Sequence, residues 1–510
     1  KKSPLNISYK PNFQNVTHRV YKHQAKLNFK ESVAHLVNNV SNISEGIEDA
    51  NSLISSLRKG NREKLLKSTL PLTRDEDYRF TDFSYLFEKD VKTPDPIRII
   101  PPDCTTTDGP NSPDYYYLVI SENAISIPSL CKEDCDSGIY VGSLLDAPKQ
   151  LQLDFTHRFL DPEDEEDERV AAAAASSSSS PFPSPPIRNF FELLNGATAG
   201  SPVIAVHVPA SITARKPLYI MYMGPTGPSS PSVSPVMTSS FPRVLISLAP
   251  GASLELVEEF VSGGACGFTN SVLDASCASH ATLCHSYVQH EHLDSVHVKS
   301  TTVRQDESSS YSLTEACTGA RISRHDLKIL QHGPSTSTQL RQALLSGPSQ
   351  LLDSCVHLRL RHPEARAEQV HRVVLCSPSS RTVFRGTIEV LKTAQRTDAR
   401  QLSRALLLAP RAVATAVPGL RINADDVKCA HGCSVSAVSN EELFYLRARG
   451  IPATMATEAL VRSFATDVIS ALRPPALAVA VRRSLIAKLE ARGQEVGKVE
   501  DEKNGEQERA

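Results

Sequence analysis

The sequence predicts a mainly β protein flanked by helical segments, on three observations. From about residue 197 to 436, short runs rich in Val, Ile, Leu and Thr alternate with polar residues, as in SPVIAVHV, RVVLC and RTVFRGTIEVL, and no long helical stripe survives. Before residue 95, Val33, Leu36, Val37, Val40, Ile43, Ile47, Leu53 and Leu57 fall near helical spacing. After residue 438 helical spacing returns. Many short strands close together suit a sandwich, a barrel or a solenoid, and with no strict repeat motif to read, all three remain open.

Taken in order, residues 1–95 form the N-terminal helical region. It ends in RDEDYRFTDFSYLF at 74–87, an aromatic cluster suited to stapling this region onto the next. Residues 96–196 are a mixed segment interrupted at 161–186 by an acidic run, an Ala run, a Ser run and a Pro-rich stretch. Such a composition buries too little apolar surface to offset the entropy of ordering, so a disordered insertion is expected. The strand-rich core spans 197–436, with a second such insertion at 224–242. Residues 437–490 form a C-terminal helical domain. There Ser439 and Glu442 make a capping box, Gly450 stops the first helix, and Leu460, Phe464, Val468 and Leu472 draw an apolar stripe. Pro474 and Pro475 end that helix and can start another carrying Leu477, Val481, Leu485 and Leu489. Residues 491–510 read as a solvated, disordered tail.

Composition excludes several function classes. The chain has 510 residues, 40% of them hydrophobic, enough for a sizeable core, and a net charge of −2 gives no bulk attraction for nucleic acid. The longest apolar runs, such as ALAVAV at 476–481, fall far short of a membrane span, so a soluble protein is expected. Eleven cysteines are too dilute and too odd in number for a disulfide scaffold, which points to a reducing compartment. The N-terminus shows no apolar signal segment, so any targeting sequence is expected to have been trimmed or omitted. Neither a nucleophile elbow nor a phosphate-binding glycine loop is present, so no nucleotide site of its own and no hydrolase chemistry of those kinds are expected.

Three groups of soft ligands stand out. In Cys429-Ala-His431-Gly-Cys433, an extended backbone would place Val427, Cys429, His431, Cys433 and Val435 on one face. Same-face neighbours on a strand lie about 6.5–7 Å apart, so this row alone does not converge on one tetrahedral metal. It is either a core-facing strand or half of a ligand set completed by another strand or chain. The second group, Cys277, His280, Cys284, His285, His290, His292 and His297, lacks CxxC pairs and an HExxH helix; it underlies the alternative of a free-standing His/Cys metal-binding enzyme. The third, Cys131 and Cys135, has no second half and reads as structural.

The motifs DYRFTDFS at 77–84, KPLYIMY at 216–222, PRVLISLAPGASLELVEEFV at 242–261, TDARQLSRALLL at 397–408 and ADDVKCAHGCSVSAVSNEELFYLRARGI at 424–451 resemble the SufD family, the scaffold subunits of the SUF iron–sulfur cluster assembly machine. The resemblance implies a right-handed parallel β-helix with helical ends and a non-enzymatic scaffold role. It implies pairing with a SufB-like subunit through the β-helix edge and docking of a SufC-like ABC-type ATPase by the C-terminal helices, with no nucleic-acid or membrane partner. It also implies a transient iron–sulfur cluster shared with the SufB-like subunit and held by His431. Cys429 is then an auxiliary metal ligand, and Cys433, standing where the family usually has Ala, ranks below His431. Leu443, Phe444, Tyr445, Leu460, Phe464 and Val468 are the candidates for the ATPase dock or for helix packing. A homodimer replacing the SufB-like pair is a weaker option. Departures such as Ala405, where the family usually has Asn, suggest together with the insertions a diverged eukaryotic copy. Eukaryotic SUF systems resemble plastid residents, so the expected location is a plastid stroma, chloroplast or apicoplast, with no transit peptide visible.

Overall fold

Alternating apolar residues on short strands must bury one face, and here they bury it inside a coil. The computed structural model describes residues 52–507 except 69, 93–97, 101–113, 122–123, 160–188, 199–202, 225–235 and 265. It is 45% strand, wound into a parallel β-solenoid of about 7 turns with helices at both ends, which resolves the choice left open among sandwich, barrel and solenoid. One sheet contains Ser253–Val261, Thr282–His290, Ser310–Cys317, Ser337–Ser346, Arg366–Leu375, Asp398–Leu407 and, at its edge, Lys428–Ala437. The other contains Gly267–Cys277, Val296–Gln305, Ile322–Gln331, Leu351–Leu360, Arg381–Val390 and, at its edge, Val413–Ile422. Each strand pairs in parallel with its counterpart one turn away.

The corners set the repeat. A residue with positive φ stands two positions before successive strands of the first sheet, at Gly251, His280, Ser308, Ser335, Glu364 and Arg396, 27–32 residues apart. Their N–H groups donate in turn to the carbonyls of Ser279, Glu307, Pro334, Pro363, Gln395 and Asp426, so each corner is bonded to the next. Five of these six corners use a side-chain-bearing residue rather than Gly, each at a local steric cost of about 1–2 kcal/mol that the corner ladder must offset. A glycine repeat is therefore not there to be seen.

The strand sheets reach further toward the N-terminus than residue 197, since Tyr116–Ile120 pairs with Leu218–Met223 and Tyr140–Ser143 with Val203–Val208. The aromatic segment at 74–87 is a staple as expected. Tyr78, Phe83, Leu86 and Phe87 pack with Phe191 of the helix Phe190–Ala197 and with Phe268, Val296 and Val298 on the outside of the second sheet. Arg324 ties this layer down by bonding Asp326, Asp353 and the Asp77 carbonyl at 2.6–3.0 Å. Of the N-terminal helical positions, Leu53 and Leu57 lie on the helix Ser52–Lys67, whereas Val33 to Ile47 lie outside the described residues. The first expected insertion, 161–186, also lies outside them. The second is narrower than expected: residues 225–235 are outside, but Val236–Ser240 is a strand paired with Asp90–Lys92 and Gly267–Cys277.

At the C-terminal end, the Ser439 hydroxyl accepts from the Glu442 N–H at 3.3 Å, opening the helix Asn440–Arg447, and Gly450 follows at φ 82°. The helices Ala453–Ile469 and Pro475–Gln507 then lie across the outside of the first sheet. Val461, Ala465, Val468, Ile469, Leu477, Val481 and Leu485 cover Val257, Val288, Ala316, Ala343, Leu345 and Val374. The last helix runs to Gln507, so the segment expected as a disordered tail is helical over most of its length, a continuation of the periodic stretch before it. No helix among the described residues is long and apolar enough to cross a membrane.

Candidate functional site

The solenoid's last turn is open. Lys428–Ala437 pairs on one side with Asp398–Leu407, and among the described strands no other pairs with its outer edge. In register, Cys429 stands on Ala399, His431 on Gln401, Cys433 on Ser403 and Val435 on Ala405. These four partners are all buried, so the row above them faces the same interior. No further coil covers that row: Cys429 is half-buried against the core, while His431, Cys433 and Val435 are exposed. Exposure at an inward-facing position is the physical meaning of an unfinished end.

The row offers an imidazole and two thiols at one rim, about 6.5–7 Å between successive Cα positions. Burial pushes the Cys429 thiol above its ordinary value, so at neutral pH it is a protonated group packed on Ala399 rather than a free thiolate. His431 and Cys433 are the solvent-facing donors. On the facing sheet the edge strand Val413–Ile422 presents Val413, Val417 and Ile422 to solvent, as Lys428–Ala437 presents Val435.

Behind the rim the lumen carries a column of polar side chains. The buried Glu258 carboxylate lies 2.7 Å from Lys299 Nζ and 2.9 Å from His285 Nε2; burial opposes its charge, yet these two partners together hold it well below the usual carboxylate range. Two turns on, Glu315 is opposed by burial in the same way. Hydrogen bonds from His325 (2.9 Å), Gln342 (2.8 Å) and Cys317 (3.3 Å) hold it down at about 2. From Gln342 the column continues by amide-to-amide bonds to Gln369 and Gln401, both 2.9 Å, and so reaches the turn beneath His431. A parallel step runs from His371 Nδ1 to Ser403 Oγ at 3.0 Å, beneath Cys433.

The second sequence group does not assemble. Cys277 is core, His280 is a corner, His285 pairs with Glu258, His290 with Glu259 at 3.1 Å, and His297 with Glu291 at 2.8 Å. The His292 ring accepts from the Asp294 N–H. Among the described residues no three His, Cys, Asp or Glu side chains group to hold a metal ion. Cys131 caps a five-residue helix and touches the Tyr116 hydroxyl, a structural setting.

Of the six helical candidates, Val468 is fully buried against the sheet, and Phe464 packs beside it under the Arg372 guanidinium, so these serve helix packing. Leu443 and Leu460 are intermediate. Phe444 and Tyr445 are 75% and 57% exposed and Met455 60%, all near the start of the helical domain. Sequence inspection missed the column beneath His431. Its signal was present: Gln342, Gln369 and Gln401 recur at the spacing of the corners.

Comparison with known proteins bears on the whole arrangement. Residues 232–464 match the family described as SUF system FeS cluster assembly, SufBD core domain. Over 440 residues the chain is 32% identical to "Protein ABCI7, chloroplastic" of Arabidopsis thaliana, covering 84% of this chain and 86% of that protein. It is 30% identical to the iron–sulfur cluster assembly SufBD family protein slr0076 of Synechocystis, over 55% of this chain and 62% of that one. It is 29% identical to the iron–sulfur cluster assembly protein SufD of Escherichia coli, over 46% and 55% respectively.

Proposed function

The chain belongs to the SufBD family of iron–sulfur cluster assembly proteins, and from that premise we propose that it is a non-catalytic, SufD-like scaffold whose open solenoid end is completed by a SufB-like subunit. The observation that carries this is the inward-facing row Cys429, His431 and Cys433, left uncovered on the solenoid's edge strand. Unpaired strand edges are templates for another chain's strand, and the exposed Val413, Val417, Ile422 and Val435 on the two edge strands would supply apolar contact. His431 contributes the protein's ligand to a nascent cluster at that junction, with a thiolate from the partner completing the set. Imidazole and thiolate are suited to iron–sulfur chemistry. Cys429 is auxiliary at most, because its thiol is packed inward.

The helical domain, residues 437–490, docks a SufC-like ABC-type ATPase through Phe444, Tyr445 and Met455. Closure of paired ATPases would move the scaffolds and with them the rim. The protein works in a plastid stroma, a location supported by its likeness to a chloroplastic protein.

Co-expression of the full chain with SufB-like and SufC-like subunits tests the assembly. A complex whose size-exclusion mass requires all three is expected. A chain that elutes alone, or only as a pair with itself, overturns the heteromeric scaffold. Deleting residues 439–510 is a poor test, since it strips the cover from Val257, Val288 and their neighbours. Surface substitutions are the better tool.

A further inference from the structure

We propose that Gln401 is a positioning residue for His431, its side-chain carbonyl oxygen accepting the hydrogen of the inward-facing ring nitrogen so that the other nitrogen presents its lone pair outward. This rests on the reading of His431 as the cluster ligand and names what orients it.

The direction of the amide column fixes the argument. Glu315 is an ionised carboxylate and can only accept, so Gln342 must present its NH2 group; it does, to Glu315 at 2.8 Å and to Ser354 Oγ at 2.9 Å. Gln342 Oε1 is then left to accept from Gln369 Nε2, and Gln369 Oε1 from Gln401 Nε2. Every amide therefore points its nitrogen inward and its oxygen toward the open end, which removes the usual ambiguity in assigning amide O and N. The last oxygen, Gln401 Oε1, is buried without a hydrogen-bond partner among the described residues, and the whole residue is only 2% exposed. An unpaired buried acceptor is unfavourable by about 1–3 kcal/mol, so a donor is called for.

Register says which. His431 stands directly on Gln401 in the adjoining strand, as Gln401 stands on Gln369. Adjacent strands are about 4.8 Å apart, a gap that the column's amide pairs bridge with 2.9 Å bonds. On the facing sheet Gly386 leaves room for the amide: a Cβ there would lie 2.8 Å from Gln401 Cδ and 2.6 Å from Phe384 Cζ. One turn on, Pro418 and His431 occupy the same two register positions. A ring N–H donated to a buried oxygen selects the tautomer and sets the ring plane. Outer-shell acceptors of this kind change metal affinity or activity about 10–100-fold when removed.

The test uses the full chain with 15N-labelled histidine. A ring N–H resonance protected from solvent exchange is expected, assigned to His431 by its loss in His431→Ala. Gln401→Met keeps the volume and removes the oxygen, so the protection should disappear; Gln401→Glu keeps an acceptor and should restore it. Protection unchanged in Gln401→Met, or absent from the unsubstituted chain, overturns the proposal. Should Gln401→Met fail to fold, cross-relaxation between the His431 ring proton and the Gln401 side chain in the unsubstituted protein reads the same contact, and its absence is equally decisive. With the partner subunits present, Gln401→Met should lower cluster formation about 10-fold or more. The ring resonance is read without partners. It can therefore report failure of the Gln401 contact while His431→Ala still abolishes cluster formation, or survive while His431→Ala proves harmless.

Discussion

Acid should loosen the solenoid through His371 before any carboxylate is involved. Its imidazole is fully buried, stacked 4.4 Å from the Phe384 ring and bonded to Ser403, and burial holds it neutral down to about 3, against an ordinary 6.5. Arg372 pushes the same way and Glu315 only partly opposes it. Because the folded value is depressed, the unfolded chain binds this proton first. The contribution is whole above about pH 6.5 and is lost as pH falls toward 3. Each pH unit in that window removes about 1.4 kcal/mol, so lowering the pH from 6.5 to 5.0 removes about 2 kcal/mol through His371 alone. Glu315, held at about 2, stays out of this window, and Glu258 is held well below its ordinary range. His371→Gln supplies the comparison, since Gln already occupies the in-register position 342 on the neighbouring strand. Urea midpoints at pH 7.5 and 5.0 should fall further for the unsubstituted protein than for His371→Gln, the difference amounting to about 2 kcal/mol. Equal falls in the two proteins would refute the assignment of a neutral buried imidazole.

Other substitutions separate stability from assembly. Glu315→Leu strands the donors of His325, Gln342 and Cys317 inside the lumen, and about 3–5 kcal/mol of stability should be lost, visible as a lowered melting temperature. Phe444→Asp, at a 75% exposed position, should leave the melting temperature within about 1 °C and weaken ATPase co-purification at least 10-fold. Retained binding would move the dock elsewhere.

Much of this was legible in the chain itself. Strand alternation gave the inward and outward faces of Lys428–Ala437 correctly, the Ser439 hydroxyl caps its helix, and Leu477, Val481 and Leu485 proved to be the buried stripe. The solenoid did not show as a repeat because its corners place Ser, His, Glu and Arg, rather than Gly, at positive φ, and its strands are buried by stacking rather than by a shared motif. On the expected stripe of the helix Ala453–Ile469 and its end, Phe464, Val468 and Leu472 pack against the sheet and Leu460 does not, while Val461, Ala465 and Ile469 complete the covered face, because the sheet beneath, not spacing alone, selects it. The column from Glu315 to Gln401 was hidden for a different reason. Its members are 27–32 residues apart in sequence and become neighbours only when turns stack.

The central claim is that His431 at the open rim is a cluster ligand. His431→Ala removes an exposed side chain at the rim, so the fold and pairing with a SufB-like subunit should be retained. Iron and acid-labile sulfide bound to the reconstituted three-subunit complex should fall at least 10-fold, with the visible charge-transfer absorbance lost in proportion. A variant complex that assembles normally and carries the full complement of iron and sulfide would contradict the account.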